Sequence, residues 1–208
     1  MTTGLPPSSI FQALTCRKGS KIDVHTRTEG LHRKYNVMDA DGVCGTFLVW
    51  SGSNLIQSQN LMSQFQDRSR NRFRCVQGNH HFQIAEPCTQ FAVETRADDA
   101  KAILLIRGTL TTSESAKAYF AAVQDKKDGS MFGTATGVIP GVVAKIFLQQ
   151  IAGNTVGGCY LFRDAQSLDD FLASDLWASA RADTPWQDVQ VDKYTVLEEP
   201  AILEERNQ

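Results

Sequence analysis

Hydrophobic and polar positions along this chain fall into two periods, two residues in some runs and three to four in others. The clearest block begins at Val156-Gly157-Gly158-Cys159-Tyr160-Leu161-Phe162-Arg163-Asp164, an apolar and aromatic run of strand length closed by a polar turn. Leu168, Phe171, Leu172 and Leu176 follow at helical spacing. An alternating strand from Asp188 to Leu197 then stops at Glu198-Glu199-Pro200. Strand, helix, strand is half of a ferredoxin-like unit.

The same half-unit recurs 113 residues earlier. Val43, Gly45, Leu48, Leu55, Arg68, Val76, Gln77, Glu86 and Pro87 are identical to Val156, Gly158, Leu161, Leu168, Arg181, Val189, Gln190, Glu199 and Pro200 without a gap. These anchors mark the strand start and the acidic-proline stop, so the spacing predicts a duplicated α+β unit. The helix between them is out of register: Leu55, Ile56, Leu61, Met62 and Phe65 do not align with their counterparts.

Taken in order, Ile10 to Cys16 reads as a short helix, Lys21 to Thr28 as a weak edge strand and Leu31 to Val37 as a half-exposed strand. Asp39-Ala40-Asp41-Gly42 is a hairpin turn leading into a strand from Val43 to Trp50. Ser51 to Asn54 caps a helix from Leu55 to about Arg70, and Phe73 to Ala85 closes the unit with a bulge near Gly78-Asn79. Phe91 to Thr95 adds a short strand. In the second unit, Ala102 to Ile106 is a strand buried on both faces. Ser113-Glu114 opens a helix with Ala116, Tyr119, Phe120 and Val123 on one side, and Val142 to Leu148 is a strand turning at Ala152-Gly153-Asn154. The expected division is a disordered arm over 1–9, a degenerate first unit over 10–98, a more complete second unit over 99–202 and an acidic tail over 203–208.

Composition narrows the function. The chain has 208 residues, 42% hydrophobic and 21% charged, with a formal net charge of −2, as in an ordinary globular protein. No basic face is implied, which excludes nucleic acid as the expected partner, and no apolar run reaches the length of a membrane span. The five cysteines form no C-x-x-C pair and read as free thiols in a reducing cytoplasm. Gly129, Gly133 and Gly137 do not match a phosphate-binding loop. His80-His81 cannot chelate jointly from adjacent strand positions, so no metal site is expected.

The run from Val156 to Asp164, with Ser167-Leu168 and the stretch from Val189 to Pro200, resembles the YdhR-like monooxygenases of the dimeric α/β-barrel superfamily, which also holds antibiotic-biosynthesis monooxygenases and small polyketide cyclases. The likeness covers about residues 101–202 and reaches 30–87 mainly through the internal repeat. It implies two ferredoxin-like repeats packed within one chain as an intramolecular dimeric α/β barrel, with a homodimer as a possible further assembly. Closing the sheet on itself removes its exposed edges. It also implies a pocket between sheet and helices for a small hydrophobic or aromatic substrate, and chemistry without a cofactor. The expected activity is a monooxygenase of secondary metabolism acting on an aromatic or polyketide-like molecule. A cofactor-free cyclase, isomerase or decarboxylase of the same fold is the alternative, and a non-catalytic ligand-binding barrel is the rival from another class.

Within that frame the candidate catalytic residues are His32, His81, Tyr160 and Arg107. The histidines sit on strands beside aromatics and would serve as base. Tyr160 would donate a proton, and Arg107 would hold an enolate or carboxylate. Tyr35, Trp50, Phe82, Lys145 and Trp177 are the candidate substrate-binding residues. Each also has an ordinary structural role open to it: core packing for the aromatics, a solvated face for the histidines and a snorkelling stem for Arg107.

Overall fold

A computed structural model describes residues 10–16, 31–50, 76–84, 90–91, 99–116, 118–119, 139–150 and 153–198. The first half holds β1 (Ile10–Cys16), β2 (Leu31–Met38), β3 (Cys44–Trp50) and β4 (Val76–Ile84). A two-residue strand, β5 (Gln90–Phe91), lies between the halves. The second half holds β6 (Ala102–Thr109), β7 (Val142–Gln150), β8 (Thr155–Phe162), α1 (Ala165–Leu172), α2 (Asp175–Asp183) and β9 (Gln187–Val196). A further helical stretch covers 113–116 and 118–119.

Both halves place their strands in the ferredoxin-like order, last-first-third-second: β4-β1-β3-β2 and β9-β6-β8-β7. The two sheets join at both edges. β2 pairs with β9 through Val37↔Val196 and Met38↔Thr195, and β4 pairs with β7 through Phe82↔Gln150, Gln83↔Gln149 and Ile84↔Leu148. Eight antiparallel strands therefore close into a ring, with β5 alongside β7. The fold class is α+β, and the expected single-chain barrel is what these pairings build.

Alternation along each strand separates two cores. Phe11, Ala13, Tyr35, Val37, Phe47, Val49 and Phe82 from the first half face Ile103, Leu105, Ala144, Ile146, Leu148, Cys159 and Leu161 from the second inside the ring. Outside the second half, Ala102, Leu104, Ile106, Tyr160 and Phe162 bury against Leu168 and Phe171 of α1. This is why Ala102 to Ile106 reads as continuously apolar: both faces of β6 are covered.

Ile10–Cys16 is a correction. The expected helix is instead a strand hydrogen-bonded on both sides, to β3 and to β4. With β1 in place the first half lacks none of the four strands, so it is not truncated in its sheet. The hairpin at Asp39 forms as expected, Asp39 Oδ1 accepting from the amides of Asp41 (3.0 Å) and Val43 (2.8 Å). A ladder shift occurs where Thr15 pairs with Gly78 and Cys16 with Val76, close to the expected bulge. The expected continuous helix after Asp164 breaks in two. Asp164 Oδ1 caps α1 at the Ser167 amide (2.7 Å), and Ser174 Oγ accepts from the Trp177 amide (3.2 Å) to start α2. The readings for 1–9, 17–30, 51–75, 92–98, 120–138 and 199–208 fall outside the described residues.

Gly157 lies where β8 runs close to the backbone of β6. A Cβ at this position would stand 2.3 Å from the Ile106 carbonyl oxygen in the neighbouring strand. Backbone cannot yield as a flexible side chain can, so Gly157→Ala is expected to lower stability by about 1–3 kcal/mol, measured by urea unfolding. An unchanged midpoint would show that β6 and β8 tolerate a wider spacing.

Candidate active site

The helix-covered outer face of the second half carries an unusual residue for a core. Lys145 lies mid-strand in β7 between Ala144 and Ile146, is paired across the ladder with Tyr160, and is 1% exposed. Burying an ammonium costs several kcal/mol, and aromatic faces offset about 2 kcal/mol of that when desolvated. The rings are present: Nζ lies 4.3 Å from the centroid of Phe147 and 4.7 Å from that of Tyr160. Gly158 leaves the room for the second ring, because a Cβ there would sit 3.1 Å from Tyr160 Cε2.

From Tyr160 the aromatic wall continues outward. Its ring stacks on Phe171 of α1 at 5.8 Å, and Phe171 meets Trp177 of α2 at 5.7 Å. On the other flank Tyr119 meets Trp186 edge-on at 5.8 Å, over Leu110, Ala116, Phe147 and Val156. Burial, with a smaller contribution from Tyr119, pushes the Tyr160 phenol far up from its ordinary value. Tyr160 therefore keeps its proton and can donate a hydrogen bond, which is a narrower role than the proton transfer expected of it.

The structure thus brings Lys145, Tyr160 and Trp177 together, three of the nine candidates. Tyr35, Phe82 and Arg107 lie on the opposite, inner face of the sheet. Tyr35 and Phe82 are in the barrel core, and Arg107 Nη2 reaches Asp192 Oδ2 at 2.5 Å. β6 runs on to Thr109, past the expected end at Ile106, so Arg107 lies within the strand. Trp50 belongs to the first half, where its Nε1 donates to Gln12 Oε1 (3.2 Å) and the side chain is buried as core. His32 and His81 are strand residues of β2 and β4, and their side chains lie outside the described set.

Sequence reasoning missed Phe147, Phe171 and Tyr119 as walls of the outer group. The available signal was a lysine inside an otherwise apolar strand, directly opposite a tyrosine. It also missed His80, which shares the face of β4 that buries Phe82. His80 is the one histidine whose side chain is described; those of His25, His32 and His81, and with them the expected base, lie outside the described residues. Among the described residues no cluster of three or more metal-ligating side chains occurs, and no helix is long and apolar enough to cross a membrane.

A ferredoxin-fold barrel with a helix-covered, aromatic-lined cation is the class that the geometry defines. Residues 132–207 match the family described as "Putative mono-oxygenase ydhR", a span that includes Lys145, Phe147, Tyr160, Phe171, Trp177 and Trp186. The same fold is found in a monooxygenase-type structure from Fusobacterium nucleatum (TM-score 0.60, 9% identity, 92% of this chain and 94% of that one). An anthrone oxidase-like protein is similar at TM-score 0.61 and 12% identity, over 95% of this chain and 94% of that one. A heme-degrading enzyme from Listeria monocytogenes matches at TM-score 0.52 and 9% identity, over 91% and 99%. No curated protein sequence matches the chain. Relatives named for such different substrates share this fold, so substrate must be argued from the site.

Proposed function

We propose that the protein is a monooxygenase-type enzyme of secondary metabolism that oxidises a small, electron-rich aromatic or polyketide-like molecule against the outer face of its second sheet. The observation that carries this reading is Lys145, 1% exposed, its ammonium held over two aromatic rings. A phenol or anthrone becomes reactive toward O₂ once it loses a proton, and both the resulting anion and the reduced oxygen that follows are negative. A fixed cation in a water-poor site stabilises both, and it is preorganised because its rings and strand hold it. Phe171 and Trp177 offer planar surface for a planar substrate. The balance closes without an added reductant: a CH₂ and O₂ give C=O and H₂O, carbon losing the four electrons that oxygen gains.

The test is an oxygen electrode with a panel of anthrones and electron-rich phenols, the product being followed by mass. Consumption of one O₂ per oxidised product supports the reading. Conversion to an isomeric or cyclised product with no O₂ consumed would replace it with the cyclase alternative. Binding of the panel with no conversion would replace it with the ligand-binding barrel.

A further inference from the structure

Lys145 is closed off from solvent. It is 1% exposed, and the rings of Phe147 and Tyr160 that hold its ammonium belong to two separate buried clusters. A substrate that reacts there needs a way in, so an element covering this face must move. Among the described residues one side chain packs against both clusters: Trp186, in the link between α2 and β9.

The segment that carries Trp186 is lightly anchored. α1 buries Leu168 and Phe171, whereas α2 buries none of its nine residues. α2 rests on the outer cluster through the half-buried Leu176 and Trp177, and Trp177 meets Phe171 of α1 at 5.7 Å. Both ends of the segment are breaks in the backbone pattern. At the start, Ser174 leaves the helical region (φ −82°, ψ 154°), and its side chain caps α2 independently of α1. At the end, Asp188 is the one non-glycine residue with positive φ among the described residues (φ 49°), next to the ladder shift between Arg107 and Thr109. Residues held in such conformations collect at switch regions.

The seat between these ends is shallow. Trp186 lies on the bare backbone of Gly108, where a Cβ would stand 2.7 Å from Trp186 Cβ. The hydrogen bonds beside it are long: Thr109 Oγ1 is 3.4 Å from the Gln187 carbonyl and 3.3 Å from Asp188 Oδ2. Thr184 Oγ1 is buried and has no hydrogen-bond partner among the described residues. The closed position therefore leaves a polar group unsatisfied that opening would return to water.

We propose that residues 174–187, α2 with the Trp186 link, form a gate over Lys145 that swings as a unit about Ser174 and Asp188 and admits a planar aromatic molecule to the ammonium. What the gate admits rests on the proposed function. Closed, it supplies the water-poor surroundings in which the buried charge acts. Its two latches, Trp177 and Trp186, are aromatic, so the ring contacts given up on opening can be replaced by those of an incoming planar ring.

The probe is trinitrobenzenesulfonate, a planar aromatic reagent whose ring carbon is attacked by a neutral amine, sulfite leaving and one proton passing to water. The full chain is labelled at about pH 9, where an opened lysine holds enough of its neutral form, and peptide mass gives the rate at each lysine. Lys145 is expected to label at least about tenfold more slowly than Lys101, whose side chain is 55% exposed. Trp177→Ala removes one latch and Gly108→Ala unseats the other. Each should speed labelling of Lys145 about tenfold, on the scale of one lost aromatic contact, and leave Lys101 unchanged. Hydrogen exchange on the same variants should show the amides of α2 losing protection while those of β8 keep it, which separates opening of the gate from unfolding. Lys145 labelled as fast as Lys101 in the parent would overturn the proposal. So would a rate unmoved in both variants, or a rise matched in both by an equal rise in β8 exchange. None of these readouts needs turnover, so failure of the gate is distinct from failure of the oxidation reading, which oxygen uptake alone decides.

Discussion

Replacing Lys145 with methionine is expected to lower kcat/KM for O₂-dependent oxidation about 10²–10³-fold, equivalent to about 3–4 kcal/mol of transition-state stabilisation, and to leave the fold intact. The two halves of this expectation come from the same geometry. The ammonium is desolvated and held over Phe147 and Tyr160, so whatever it contributes to an anionic transition state is undiluted by water. Methionine has the length to fill the space and packs well against aromatic edges. Tyr160→Phe supplies the contrast. It keeps the ring beneath the cation and the stack on Phe171 and removes only the hydroxyl, so its loss should stay within about tenfold, that of one hydrogen bond. Steady-state kinetics by oxygen uptake, with calorimetry on each variant, would decide. A folded Lys145→Met protein with turnover within about threefold of the parent would remove Lys145 from the chemistry and the proposed function with it.

How much of this could be read in advance depends on whether the controlling interaction was local. β8 was legible because its apolar run and its glycines are determined within one strand, and the turn at Asp39 because an aspartate and Gly42 (φ +76°) suffice to make it. Ile10–Cys16 was misread because seven mostly apolar residues suit either period. Partners far along the chain, β3 and β4, decide the matter. The alternation was nonetheless there: Phe11 and Ala13 face the barrel, and Gln12 faces out to Trp50.

The histidines show the same limit at single-residue scale. Of an adjacent pair on a strand only one can share the face of Phe82, and it is the one two residues away, not the neighbour. Adjacency to an aromatic argued for His81, whose side chain lies outside the described residues. The Arg107–Asp192 pair joins residues 85 positions apart, and the ring order alone makes β6 and β9 neighbours. Lys145 was a candidate only as a neighbour of Tyr160. Its burial needed Phe147 and Tyr160 to be placed before it became informative.

The second large effect concerns the core that the halves share. Phe47→Ala is expected to cost about 3–5 kcal/mol, at the upper end for a single core truncation. The ring is fully buried and touches Phe11 within its own half and Tyr194 across the junction, so its loss leaves a cavity and removes two aromatic pairs at once. Its position makes the result diagnostic as well as large. β2 and β9 meet over two ladder pairs, and the Leu197 amide donates to the Asn36 carbonyl (2.7 Å). β4 and β7 close the far side over three pairs. With so little backbone pairing at either junction, the interior side chains must carry most of the coupling between halves. Hydrogen exchange should then show amides of β3 and of β8 losing protection together in Phe47→Ala, by about the same free energy, because neither sheet keeps its buried face without the other. If protection in β8 stayed at the parent level while β3 opened, the second half would be standing on its own helices, and the barrel interior would be a contact surface between two stable units.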